Sequence, residues 1–140
     1  MHRRTHAFTL LELVIALAAV AIVAAFALPG WRSQIARGHR IDAVAALYRA
    51  AQFVDAQSPS PASLPAGMDQ APPGGTAVYR LKILAADETN GGYTITAAPT
   101  EAGPMRDDPC GTFVLEANGT RGNQAPGGTA PNPRDCWRDR

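Results

Sequence analysis

The sequence predicts an α+β protein in which one long N-terminal helix packs on a small antiparallel sheet of about three to four strands. Three observations predict it. An unbroken apolar run from Leu13 to Leu28 follows a short basic N-terminus. Helical spacing resumes after Pro29 and lasts until Ser58-Pro59-Ser60-Pro61. Beyond residue 77, short stretches alternate apolar and polar residues between Gly- and Asn-containing turns.

The first element reads as a membrane helix. From Phe8 to Leu28 an α-helix rises about 31 Å, close to the roughly 30 Å hydrocarbon core of a bilayer. Glu12 is the exception, because a carboxylate at the centre of a membrane helix costs up to about 3 kcal/mol and less near its end. The Leu, Ile, Val and Phe side chains each return about 0.3–0.6 kcal/mol, so insertion survives the charge. Three readings fit this segment. It can be a cleavable secretory signal, with Ala25-Phe26-Ala27 as an acceptable cleavage site. It can be a plain single-pass anchor in which Glu12 snorkels to the headgroups. In the third reading Glu12 has a function. Ala21 and Ala25 form a small-x-x-x-small pair that suits close helix packing.

After Pro29, Ile41, Val44, Ala45, Tyr48, Ala51 and Gln52 share a stripe, with Leu47 and Val54 beside it. Arg40, Asp42 and Arg49 fall mostly off it. Pro29 should kink the helix rather than end it, and Gly38 adds a second soft point. Pro, Gly, Ala and Ser dominate from Ser58 to Gly75, which predicts a loop rather than a second domain. Three strands then follow. Tyr79, Leu81 and Ile83 alternate in the first, Tyr93, Ile95 and Ala97 in the second, and Phe113 and Leu115 in the third. Asn90-Gly91-Gly92 turns the first strand back, and Asn118-Gly119 closes the third.

The formal charge of +1 argues against a general nucleic-acid binder. Cys110 and Cys136 are the only cysteines, too few for a zinc site and without redox-motif spacing. In an oxidising compartment they form a structural disulfide, worth roughly 3–4 kcal/mol by loop closure.

The run Ala7-Phe8-Thr9-Leu10-Leu11-Glu12 resembles the cleavage and methylation motif of type IV prepilins. The segment Cys110-Gly111-Thr112-Phe113-Val114-Leu115 with the later Cys136-Trp137 is similar to the C-terminal region of minor type IV pilins. The resemblance implies cleavage between Ala7 and Phe8, N-methylation of Phe8, and a Glu12 that becomes the fifth mature residue. The family usually has Gly before the cut, where this chain has Ala7. Pro29 falls twenty-second, where the family commonly has a proline. Glu12 would neutralise the amino terminus of a neighbouring subunit and set its register.

The implied organisation is a leader over 1–7, a transmembrane segment over 8–29 and an amphipathic helix half over 30–57. A loop over 58–77 and a sheet with its disulfide-bounded region over 78–140 complete a lollipop arrangement. The implied function is a structural minor pilin of a type IV pilus, inserted in the inner membrane with a periplasmic C-terminal domain and later surface-exposed in the filament. Its implied partners are other pilin subunits, the prepilin peptidase and methyltransferase, and the pilus assembly platform. A type II secretion pseudopilin and a membrane-tethered periplasmic binding module are the alternatives.

The remaining signals are read as structural. Asp107 and Asp108 suggest a solvated loop rather than a cation site, and Asn118-Gly119-Thr120 a turn rather than a glycan acceptor. His2, His6 and His39 lack ligand spacing. No nucleophile sits in a recognisable catalytic motif, so no enzyme, metal or cofactor is expected. Arg134, Arg138 and Arg140 with Trp137 make a basic, aromatic tip, but Asp135 and Asp139 interleave and DNA is not expected as a partner.

Overall fold

The structure, a computed structural model, describes residues 7–129 and 131–138. The chain divides into two compact units, Met1–Ile35 and Ala36–Arg140. Most of the leader, together with Asp139 and Arg140 of the C-terminal tip, lies outside the described residues.

Helix α1 runs Leu10–Asp55 and contributes to both units. In the first unit its apolar side chains find no protein cover: Leu10 and Phe26 are each 81% exposed. By length and composition α1 is long and apolar enough to cross a membrane. The helix starts where its sequence caps it. The Thr9 carbonyl accepts from the Leu13 amide at 3.1 Å, and the Thr9 hydroxyl accepts from the Glu12 amide at 3.2 Å. Thr9 is thus the N-cap and Glu12 the third helical residue, the spacing of a capping box with the bond from the Thr9 hydroxyl formed.

The second unit joins residues 36–55 of α1 to a five-stranded antiparallel sheet in sequential order. Its strands are β1 Gln70–Ala71, β2 Tyr79–Leu84, β3 Thr94–Pro99, β4 Thr112–Glu116 and β5 Arg121–Gln124. A short helix, α2 Pro133–Cys136, follows. The predicted α+β class holds, with the three alternating stretches forming β2, the central β3 and β4. The expected three to four strands become five. Ala71 of β1 pairs Tyr79 inside the segment read as loop, and β5 has no apolar alternation at all. Strand β5 is held by register instead, with Leu115 opposite Arg121 and Thr112 opposite Gln124. The Asn118-Gly119 turn leads into it: the Gly119 amide donates to the Glu116 carbonyl at 2.9 Å, and the Glu116 amide to the Thr120 carbonyl at 3.0 Å.

The core lies between the inner sheet face and one stripe of α1. Leu47, Tyr79, Ile95 and Phe113 are fully buried at its centre. The stripe is rotated from the one expected. Ala43, Val44, Ala46, Leu47, Ala50 and Val54 are buried, whereas Ile41 is 46% exposed and Tyr48 37%. Alanines occur on every side of this helix, so periodicity alone does not select a face. Ala43, Ala46 and Ala50 together let the backbone approach the sheet closely, and that face wins.

Asn90, expected only as a turn residue, is buried and fully bonded. Its amide donates to the Ala85 carbonyl and the Thr94 hydroxyl, each at 3.1 Å. Its side-chain oxygen accepts from the Asp87 and Gly92 amides, and its carbonyl from the Asn118 amide. One side chain therefore closes the β2–β3 loop while its backbone ties that loop to the β4–β5 turn.

Candidate functional site

The residues singled out in the sequence fall in two places. Ala7, Phe8, Glu12 and Pro29 belong to the first unit. There Ala7 and Phe8 precede the helix, Glu12 occupies its exposed first turn, and α1 continues through Pro29. The carboxylate at position 12 stands where the positive end of the helix dipole favours a negative charge. Thr9 was missed as a functional position, although Thr9-x-x-Glu12 is a legible capping signature.

In the second unit Cys110 and Cys136 form the disulfide, 26 residues apart. The Cys-Gly pair has a steric reason. Gly111 has φ +56°, and a Cβ there would meet the Gln124 carbonyl oxygen at 2.1 Å. Only glycine lets β5 close over the cysteine. The Cys-Trp pair has one too. Trp137 is buried, and its indole N–H donates to the Asn123 side-chain oxygen at 2.8 Å and the Gly122 carbonyl at 3.3 Å. Asn123 in turn donates to the Cys110 carbonyl at 3.0 Å. The segment closed off by the disulfide therefore begins as strand, with Asn123 and Gln124 in β5, and disulfide and indole pin its far end.

Four rings link this region to the helix. Tyr79 meets Phe113, Phe113 meets Trp137 at 5.5 Å, and Trp137 meets Tyr48 at 6.5 Å, all edge to face. Arg121 lays its guanidinium 5.7 Å from both the Tyr48 and Trp137 rings. Trp137 is thereby committed to packing and is not presented for stacking on a nucleobase, as a DNA-binding tip would require. Arg134 and Arg138 are exposed.

Asp107 and Asp108 separate sharply. Asp107 is solvated, as expected, but Asp108 is buried and paired with Arg40 of α1 through both carboxylate oxygens. It also accepts from the Cys110 amide at 3.3 Å. The hydrogen bonds to Asp108 hold the Arg40 guanidinium above its ordinary pKa. A partner 68 positions away overturns the solvated-loop reading for Asp108. Nearby, burial pushes the Tyr79 hydroxyl well above the usual phenol range. The Tyr93 hydroxyl is pushed up to about 12 by burial and by its hydrogen bond to Asp55, 2.8 Å long. Asn118 is engaged as a turn residue, with its amide on the Thr89 carbonyl and Glu116.

Two family models match the chain. One, described as type IV minor pilin ComP, DNA uptake sequence receptor, matches residues 29–114. The other, described as prokaryotic N-terminal methylation motif, matches residues 2–28. The first match ends before β5, so the Cys136-Trp137 closure lies outside it. No curated protein matches.

Proposed function

This chain belongs to the family of type IV minor pilin ComP, DNA uptake sequence receptor, and from that premise we propose that it is a processed, membrane-inserted subunit of a type IV pilus. The prepilin peptidase cuts between Ala7 and Phe8, and Phe8 is then N-methylated. The subunit waits in the inner membrane with its second unit in the periplasm. From there the assembly platform passes it into the filament, where it meets other pilins through residues 8–29. Its role is structural rather than catalytic.

The observation that carries this reading is a capped helix whose otherwise apolar first turns hold one carboxylate. Cleavage before Phe8 creates an ammonium group four residues from Glu12. In a filament that charge can pair with Glu12 of a neighbouring subunit. Opposite charges about 4 Å apart attract by on the order of 4 kcal/mol at an effective dielectric near 20, before desolvation is counted. Each charge left alone in hydrocarbon is costly, so subunits stacked in the correct register are favoured over misplaced ones. Pro29 supplies no N–H to the Ala25 carbonyl, which gives the helix a point at which to bend during docking.

Replacing Glu12 with Ala tests the assembly role. The variant should accumulate in the membrane yet be absent from sheared filaments; incorporation at the native level would contradict it.

A second reading follows from the other half of the family's description, that the second unit contacts DNA. The sequence directed attention to the C-terminal tip, where Trp137 is committed to packing. Arg80 and Lys82 favour the second reading at a different place, exposed together on one strand.

A further inference from the structure

Between residues 7 and 35 the chain carries two charged side chains, Glu12 and Arg32. About 30 Å of α-helix separates them, so neither neutralises the other. Arg32 is exposed and makes no ion pair among the described residues. It follows closely on the apolar run that ends at Leu28. Leu28, Trp31, Arg32 and Ile35 fall at i, i+3, i+4 and i+7, one face of α1. The apolar members of that face are uncovered: Leu28 is 57% exposed, Trp31 69% and Ile35 46%. Ser33, the nearest hydroxyl, is turned back on its own helix and donates to the Gly30 carbonyl at 2.8 Å.

Helix geometry sets the depth of these groups. With Leu28 at the edge of the hydrocarbon, the backbone of Arg32 stands about 6 Å above it. That is within the headgroup layer, about 5–7 Å thick on each side of a bilayer. Helical side chains lean toward the N-terminus, here toward the membrane, so the guanidinium reaches back to the level of the lipid phosphates. We propose that Trp31 and Arg32 form an interfacial site for an anionic phospholipid. The guanidinium takes the headgroup phosphate through paired N–H bonds. The indole lies at the boundary of headgroup and acyl chain, where tryptophan is favoured. A net anionic headgroup is preferred to a zwitterionic one, whose own cation competes for the phosphate. The proposal rests on the membrane-inserted reading and adds the lipid that holds the second end of the span. The bound lipid fixes the depth of the helix, and a subunit must release it to leave the bilayer.

The test reconstitutes the full chain in vesicles that mix phosphatidylcholine with phosphatidylglycerol, one or the other carrying brominated acyl chains that quench tryptophan. Emission from Trp31 is the difference between the native chain and Trp31→Phe. Brominated phosphatidylglycerol should quench it as if enriched about fivefold over its share of the bilayer. Arg32→Gln should bring the enrichment close to one, and Arg32→Lys should keep most of it. Salt at about 1 M, where charges are screened beyond about 3 Å, should lower it in the native chain. Arg32 is exposed and unpaired, so its replacement leaves the packing of α1 intact. If neither brominated lipid quenches Trp31, the membrane-inserted reading falls and the lipid site falls with it. If both quench in proportion to their amounts, the membrane-inserted reading stands and the lipid site is refuted. Enrichment that survives in Arg32→Gln refutes the assignment to Arg32.

Discussion

The two stretches of α1 solve opposite problems with the same backbone. Residues 10–35 show apolar side chains on every side and bury none against the rest of the first unit. Residues 36–55 bury one stripe, centred on Leu47, and keep Asp42 and Arg49 in water. The first stretch is suited to a lipid or helical surround, the second to a sheet. The comparison teaches that composition and spacing specify different things. An all-round apolar helix states its environment but not its neighbour, whereas an amphipathic one requires a particular partner surface. Changes in the second unit should therefore register as folding stability, and changes in the first as assembly or local fraying.

The largest effect expected from breaking the second unit is loss of the disulfide. Replacing Cys110 and Cys136 together with Ala should cost about 3–4 kcal/mol. Thermal melting of the second unit measures it, and the loss should leave the helix signal of residues 10–28 intact. An equal loss in both signals would mean that the two stretches are not separable.

A smaller effect comes from Tyr93 and Tyr79. Both hydroxyls are held above their ordinary value of 10.0, so the folded state favours their neutral forms. Stability from these groups is complete below pH 10; that of Tyr93 is lost as pH rises through about 12, and that of Tyr79 falls over the same window and beyond it. Melting temperature should fall across that window. Tyr93→Phe should shrink the fall at a cost of about 1 kcal/mol at neutral pH, the hydrogen bond to Asp55 being lost. A melting temperature flat from pH 10 to 12 would contradict the buried placement of both rings.

The smallest effect belongs to the first unit. Thr9→Val keeps the shape of the side chain but removes the acceptor for the Glu12 amide, costing about 1 kcal/mol of first-turn stability. Amide exchange at Glu12 should quicken roughly fivefold, and Thr9→Ser should restore it. The second unit's melting should not move.

Much of this organisation is legible in the sequence because it rests on local pattern. The apolar run, the misplaced carboxylate, the alternation of β2 to β4, the Asn118-Gly119 turn and the lone cysteine pair each carry their own signal. What sequence hides is long-range or degenerate. Strand β5 is made of Arg121, Gly122, Asn123 and Gln124, and only the pairing with β4 makes it a strand. Asp108 looks like any loop carboxylate until Arg40 reaches it. The buried stripe of α1 could not be separated from its neighbours because alanine is spread around the whole helix. Thr9 is a different case: its capping signature was present, and the apolar run beside it drew the attention.

The central claim is that the N-terminal helix is that of a processed pilin, and the most direct measurement is the intact mass and first residue of the chain purified from its native membrane. The account predicts a chain that begins at N-methylated Phe8. A chain that begins at Met1, as a plain anchor would, or at Leu28, as a cleaved secretory protein would, contradicts it.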